Sequence, residues 1–428
     1  MTGGGVREPA VPMHSGRWPA ALRSPLFARL WAGSVVSSVG TQMSNTAKIW
    51  VLYSVTHSAT TLGLDGLCFS VPIAALPLVA GPLCDRLDRR AVIKASMVVE
   101  TLEAAALAAA AAAGVLHPWV IYLTAAVEAA RLAFDIPART ALTTVLVSGD
   151  ALPSAQSLSV VVWNSAALIG PALGGMLLAV SSVAVVFAVN SVSTLAVAIA
   201  FLPVGRARLP SVTGGAPRGR LGEGLRYVLA HRELLALQAI LLTVSAVALG
   251  TETLLPVLDR VQWHGGPVAY GLLRAAPGIA AVLTGLGVAL LRPARHPART
   301  VSLSMIGACA ALIAFTVAPA LAAGLVLLAL ASAALSVCLI IVGTRIQQIA
   351  PERLRGAISG FNAITQSGLA GVAAAGMAFA AVDLGARCVI IAVAAVTAAT
   401  GLTAPCRAYR PQGRPASRGG PAASPGRG

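Results

Sequence analysis

Apolar residues run along this chain in long blocks, broken by short polar, glycine- or proline-bearing stretches. The blocks fall near 27–54, 62–83, 93–114, 118–139, 157–180 and 182–203, then near 233–257, 269–291, 300–319, 321–346, 357–381 and 385–405. Each approaches the roughly 20 residues that carry an α-helix across a bilayer. None shows the strict alternation of an outer-membrane strand. The pattern predicts an all-α integral membrane protein with twelve transmembrane helices in two six-helix halves. Composition agrees: of 428 residues 57% are hydrophobic and 11% charged, with mean hydropathy +0.81, where a soluble domain carries about 25% charged residues.

The charges sharpen the topology. A net charge of +16 alone suggests nucleic acid, but the cations sit in alternate connections and the tails, without aromatic interleaving or a soluble groove. Even-numbered connections hold Arg86, Arg89, Arg90 and Lys94, then six arginines from Arg206 to Arg232, then Arg292, Arg295 and Arg299, then Arg353 and Arg355; odd ones hold Arg260 and Arg387. The excess of cations on one side predicts both termini cytoplasmic, in the inner (cytoplasmic) membrane. The expected organisation is a basic N-terminal tail over 1–25, unlike a signal peptide, a first bundle over 26–203, a hinge over 204–232, a second bundle over 233–406 and a basic tail over 407–428. A short amphipathic helix around Leu221–Leu229 suits the membrane surface within that hinge.

The halves echo each other. Asp150 to Ser157 aligns with Glu352 to Ser359, and Gly81, Arg86 and Arg89 with Gly287, Arg292 and Arg295, although Leu291 stands where the first copy has Asp85. Between the second and third spans, Gly81 to Arg90 reads G-x-x-x-D-R-x-x-R-R. With Phe134 to Leu142, with Gly170-Pro171-Ala172-Leu173-Gly174-Gly175, and with Pro351 to Gly356, this loop resembles the signature motifs of the major facilitator superfamily. The resemblance spans about residues 26–405 and is to the twelve-span exporter branch that includes macrolide and siderophore exporters. It departs at Ala166, where the pattern has glycine, and around Arg131, whose neighbours differ from the family's arginine motif in the fourth span.

The resemblance implies two helical bundles rocking about a central site, driven by the proton gradient. It implies that Gly81, Asp85, Arg86, Arg89, Arg90 and Arg139 form a gating latch near the start of the eleventh span. It also associates the fifth-span glycines and Pro171 with antiport. The residues themselves add a stripe on the fourth span, Glu128, Arg131, Asp135 and Arg139, whose spacing puts them on one helix face. One unpaired charge at mid-bilayer costs about 2.5–3.5 kcal/mol, so that face must look into the bundle or a wet cavity. Glu128, with Arg131 and Asp135, is the candidate for proton coupling; an intrahelical ion pair is the alternative. Gln42, Asn45, Lys48, Trp50, Trp163, Asn164 and Glu252 are candidates for the substrate cavity, with Lys48 and Glu252 as a candidate outer gate. Glu100 and Glu103 read as supporting contacts on a peripheral third span.

No catalytic constellation, metal-ligand spacing or phosphate-cradling glycine loop is present in the sequence, so no enzyme activity, cofactor or metal is expected. The expected partners are a small-molecule substrate, protons and the bilayer, with the protein a monomer and no nucleic acid bound. The leading expectation is proton-coupled antiport of an amphipathic small molecule such as an antibiotic, siderophore or secondary metabolite. A lysolipid or lipid transporter, or a non-transporting membrane sensor, would use the same fold.

Overall fold

The computed structural model describes residues 20–77, 80, 83, 87–147, 151–206, 221–290 and 296–408. Its regular elements are helices, with no strand among the described residues. In chain order these are α1 (Pro25–Thr56), α2 (Ala59–Ala75), α3 (Arg89–Ala112), α4 (Pro118–Leu146), α5 (Leu152–Val180) and α6 (Val183–Arg206). A short helix follows, α7 (Leu221–Ala230). The second half holds α8 (Arg232–Trp263), α9 (Pro267–Leu290), α10 (Pro297–Thr316), α11 (Leu321–Ile349), α12 (Glu352–Leu384) and α13 (Ala386–Ala408).

Nine of the described helices are long and apolar enough to cross a bilayer. Three further helices, α1, α2 and α4, fall outside those nine. The described part of α2 is 17 residues long, while α1 and α4 carry the polar side chains discussed below. With α7 set apart at 10 residues, the twelve spans expected from the sequence are all present. The helices of α4 and α5 are longer than the apolar blocks that announced them, and the added turns carry good helix formers: Ala141, Leu142 and Leu146 in α4, Leu152, Ala155 and Gln156 in α5.

Local chemistry sets the helix ends. Proline opens α1, α4, α9 and α10, where the first N–H groups lack helical partners anyway. At the α1–α2 turn, His57 takes the left-handed conformation (φ 48°) and donates its backbone N–H to the Tyr53 carbonyl. Ser58 then caps α2, its hydroxyl accepting from the Thr60 N–H at 3.2 Å. Asp88, the described end of the signature loop, caps α3 through the Arg90 N–H at 3.0 Å. The last turn of α8, Asp259–Trp263, widens to a π-turn. That swing lets Gln262 Nε2 donate to the Phe315 and Ala318 carbonyls (3.3 and 2.8 Å) at the end of α10, satisfying groups a helix end leaves open.

Within the first bundle α1 packs on α5 and α6, α3 on α4 and α6, and α2 on α4. In the second, α10 packs on α11 and α13, α9 on α11, and α8 on α12 and α13. The bundles join chiefly through α5 with α9 and α2 with α12, with smaller contacts of α1 and α2 on α8 and of α1 on α9. Lipid gives little drive for helices to associate, so close packing of small residues has to hold them. A Cβ on Gly175 would come within 2.3 Å of the Pro267 carbonyl oxygen, and one on Gly271 within 2.5 Å of the Pro171 carbonyl oxygen. The α2–α12 seam is equally tight, with Ser70 Oγ 1.8 Å from where a Cβ on Gly371 would sit and Ala74 Cβ 2.5 Å from that of Gly368. Gly368 lies in a second π-turn, Ile364–Leu369, just past a buried hydrogen bond from Gln238 to Asn362.

These approaches run from the end of the molecule that carries the His57 turn to about its middle. At that end Trp50 of α1 stacks on Tyr270 of α9, ring centroids 5.5 Å apart, and the Arg260 guanidinium lies 5.3 Å over the Trp50 ring.

Candidate functional site: a buried charge cluster between α1, α3 and α4

The described polar side chains converge inside the first bundle. Lys48 of α1 is 6% exposed and Glu128 of α4 is 7% exposed. Lys48 Nζ lies 2.8 Å from Glu128 Oε2, and Asn45 Nδ2 donates to Glu128 Oε1 at 3.2 Å. Three residues along α4, Arg131 meets Glu100 of α3 at 3.2 Å and Ser96 at 3.3 Å. Thr41 of α1 donates to the other Glu100 oxygen at 3.0 Å. Glu103 of α3 completes the group, its Oε1 3.8 Å from Lys48 Nζ. A void of about 10 Å³ lies among Thr41, Asn45, Glu103 and Asn190, the size that holds one water.

The local sequence explains the convergence. Thr41, Asn45 and Lys48 are spaced four and three on α1, as are Ser96, Glu100 and Glu103 on α3, so each set forms one face. The side chains around them are uncharged, among them Ser37 and Ser44 on α1 and Met97, Ala104 and Leu107 on α3, so the charges are neutralised by each other. The partners are therefore between helices. Glu128 pairs with α1 and Arg131 with α3, which replaces the intrahelical Glu128–Arg131 pair considered from the sequence. Further along α4, Asp135 and Arg139 do pair within the helix, at 2.5 Å.

A second, smaller set lies where the bundles meet. Glu252 of α8 pairs with Arg274 of α9 at 3.2 Å, and Arg274 also faces the Tyr270 hydroxyl and, further off, Asp65 of α2. Asp65 faces Lys48 and Glu128 as well, so it stands between the two sets. The Lys48–Glu252 gate expected from the sequence is not made: each has a nearer partner of its own.

The other candidate residues spread out. Gln42 and Met43 back onto α5, where a Cβ on Gly170 would meet Gln42 Cβ at 2.5 Å and one on Gly174 the Met43 backbone at 3.0 Å. Gly170, Pro171, Gly174 and Gly175 are all buried. They thus serve two seams, α1–α5 and α5–α9. Trp50 is buried in its stack with Tyr270 rather than open to a cavity. Trp163 is 59% exposed on α5, and neither it nor Asn164 joins the charge cluster. Gly81, Asp85 and Arg86 lie outside the described residues, as does the expected approach of Asp85 to Arg139. Asp65, Glu100, Glu103 and Arg274 are the residues that sequence reasoning underrates. A signal for two of them is there: Glu100 and Glu103 sit in an apolar helix with no cation within four residues on either side.

Twelve membrane helices in two bundles, joined through α2–α12 and α5–α9 around buried charges, are the architecture of a membrane transporter rather than an enzyme. The chain belongs to the major facilitator superfamily, and the family whose model matches it, over residues 16–410, is described as "Transmembrane secretion effector". It is similar to macrolide efflux protein A of Streptococcus pyogenes, at 23% identity over 264 residues covering 61% of this chain and 65% of that protein. The chain thus matches just under two thirds of that relative's length. It is also similar to the enterobactin exporter of Salmonella typhimurium, at 24% identity over 336 residues, 78% of this chain and 81% of that one. Among solved structures, a bacterial homolog of the human lysosomal transporter Spinster, inward-facing and unoccupied, shares the fold with a TM-score of 0.68 at 15% identity, covering 90% of this chain and 97% of that chain.

Proposed function

We propose that this protein exports an amphipathic small molecule from the cell in exchange for protons, by alternating access between its two bundles. The observation that carries the reading is the buried cluster of α1, α3 and α4, which holds three carboxylates against two cations at a depth where unpaired charge is costly. Such a cluster accepts or releases a proton at small cost and moves helices when it does. Likeness to a macrolide efflux protein and to an enterobactin exporter supports export, and the distribution of arginine supports termini on the cytoplasmic side of the inner membrane. With that orientation the joined end is the outer one.

In this state the seam of Gly175 with Gly271 closes the outer end without interlocking side chains, so the bundles can part there at low cost. The fourth-span pair Asp135–Arg139 lies toward the inner end, where the signature loop would meet it in the opposite state.

The test uses purified protein in vesicles with an imposed pH gradient and a panel of a macrolide, a catecholate siderophore, a lysolipid and a neutral sugar. Gradient-dependent movement of the macrolide or siderophore, abolished by a protonophore, is expected. Movement of the lysolipid alone, or movement indifferent to the protonophore, would overturn the reading.

A further inference from the structure

We infer that Glu103 of α3, rather than Glu128, is the group that takes up and gives back the proton. This inference rests on the proton-coupled reading above and names the site within it.

The hydrogen bonds of the three carboxylates differ. Glu128 uses both oxygens, one toward Lys48 at 2.8 Å and one toward Asn45 at 3.2 Å. Glu100 also uses both, toward Arg131 at 3.2 Å and Thr41 at 3.0 Å. Protonating either carboxylate would forfeit charge-assisted bonds, which are roughly twice as strong as neutral ones. Glu103 stands apart. Its nearest cation among the described residues is Lys48, at 3.8 Å, beyond hydrogen-bond reach. A proton on Glu103 gives up only that longer ion pair and none of the hydrogen bonds just named.

Charge balance points the same way. Lys48 and Arg131 supply two positive charges against Glu100, Glu103 and Glu128, and one proton makes the set neutral. The groups facing Glu103 come from each helix around it: Lys48 from α1, Glu128 and Arg131 from α4, and Glu100 from its own helix. From α6 come uncharged groups, with Asn190 lining the void and Thr194 bonded to Thr101 at 3.2 Å. From α2, Asp65 faces Lys48 and Glu128 on the other side. The void beside Glu103, lined also by Asn45 and Lys48, is where a water would carry the proton.

The coupling then follows from Lys48. With Glu103 neutral, its ammonium belongs to Glu128 and ties α1 to α4. When the proton leaves, a second carboxylate competes for the same ammonium, and Lys48 is drawn toward α3. Because α1 also packs on α5, which carries the seam to the other bundle, the shift reaches the contact that opens and closes.

The test is infrared difference spectroscopy of the protein in lipid vesicles, stepped between acid and alkaline pH, beside the vesicle transport assay. A protonated-carboxyl band that appears at acid pH is expected in the wild type. It should lose a component in Glu103→Gln and regain a shifted one in Glu103→Asp. Thermal stability should be unchanged in Glu103→Gln, and gradient-driven transport should drop to the rate seen without a gradient. A band unaffected by Glu103→Gln, or no such band in the wild type, overturns the inference. If the band behaves as expected but no cargo follows the gradient in the wild type, the proton site stands and the export reading falls.

Discussion

The first bundle gathers its described apolar core in four separate patches, around Leu30–Phe201, Phe27–Leu158, Met43–Phe187 and Leu52–Ile121. Between them lie the charges of α1, α3 and α4. The second bundle has one continuous core, from Val228 and Leu234 through Tyr270 and Phe315 to Ile390. Its polar contacts are few and scattered: the buried Gln238–Asn362 hydrogen bond, Glu252 with Arg274 at 3.2 Å beside the other bundle, and Glu233 with Arg345 at 2.8 Å. The two halves share a topology and differ in what fills it. A continuous apolar filling gives a body that moves as a unit, whereas a divided one leaves room for groups whose charge can change. On the proposed reading, the chemistry belongs to the first half and the second is its mechanical partner.

The largest effect is expected where the charge cluster loses a cation. Lys48→Ala leaves Glu128 buried without its ammonium and removes the cation nearest Glu103, and breaking a buried pair costs about 3–5 kcal/mol. A large drop in the midpoint of thermal aggregation in detergent checks it, and a wild-type midpoint would mean the cluster is more hydrated than its burial indicates. In the second bundle Leu254, fully buried, should cost about 2–4 kcal/mol on truncation to alanine. The informative point is the contrast: Leu254→Ala should lower the midpoint while leaving the pH profile of transport in place. A shifted profile would spoil the division of labour.

A third substitution strikes the seam. Gly175→Val puts atoms where the Pro267 carbonyl already lies, and overpacking of this kind costs about 1–3 kcal/mol. Cysteines paired across the α5–α9 seam should then crosslink more slowly than in the wild-type background, because the bundles are held apart there. The smallest effect is at the margin: Arg345→Ala should cost about 1 kcal/mol or less, since its side chain is 38% exposed and exposed pairs contribute little.

How much of this is legible in the sequence differs by kind. The helices are, because an apolar block of bilayer length has few other solutions. The short helix α7 is too, as an amphipathic stretch around Leu221–Leu229. Pairings are not. Lys48 has carboxylates on several other helices to choose from, and nothing along the chain tells Glu128 from Glu252. Reading α3 as peripheral hides Glu100 and Glu103, yet two acids three residues apart, with no local cation, must find one on another helix. Trp50 is hard to place for a related reason: a tryptophan near a helix end suits a membrane interface, a cavity wall and a junction between bundles equally well.

That junction has a practical consequence. The indole of Trp50 is held between a phenol ring and a guanidinium, one from each side of α9's start, and the three can stay together only while the two halves touch at that end. Its emission should therefore brighten or dim as the pathway changes face, giving a built-in fluorescence signal for the opening step. Replacing Trp50 with phenylalanine should remove the change and leave the emission of the other five tryptophans as the background.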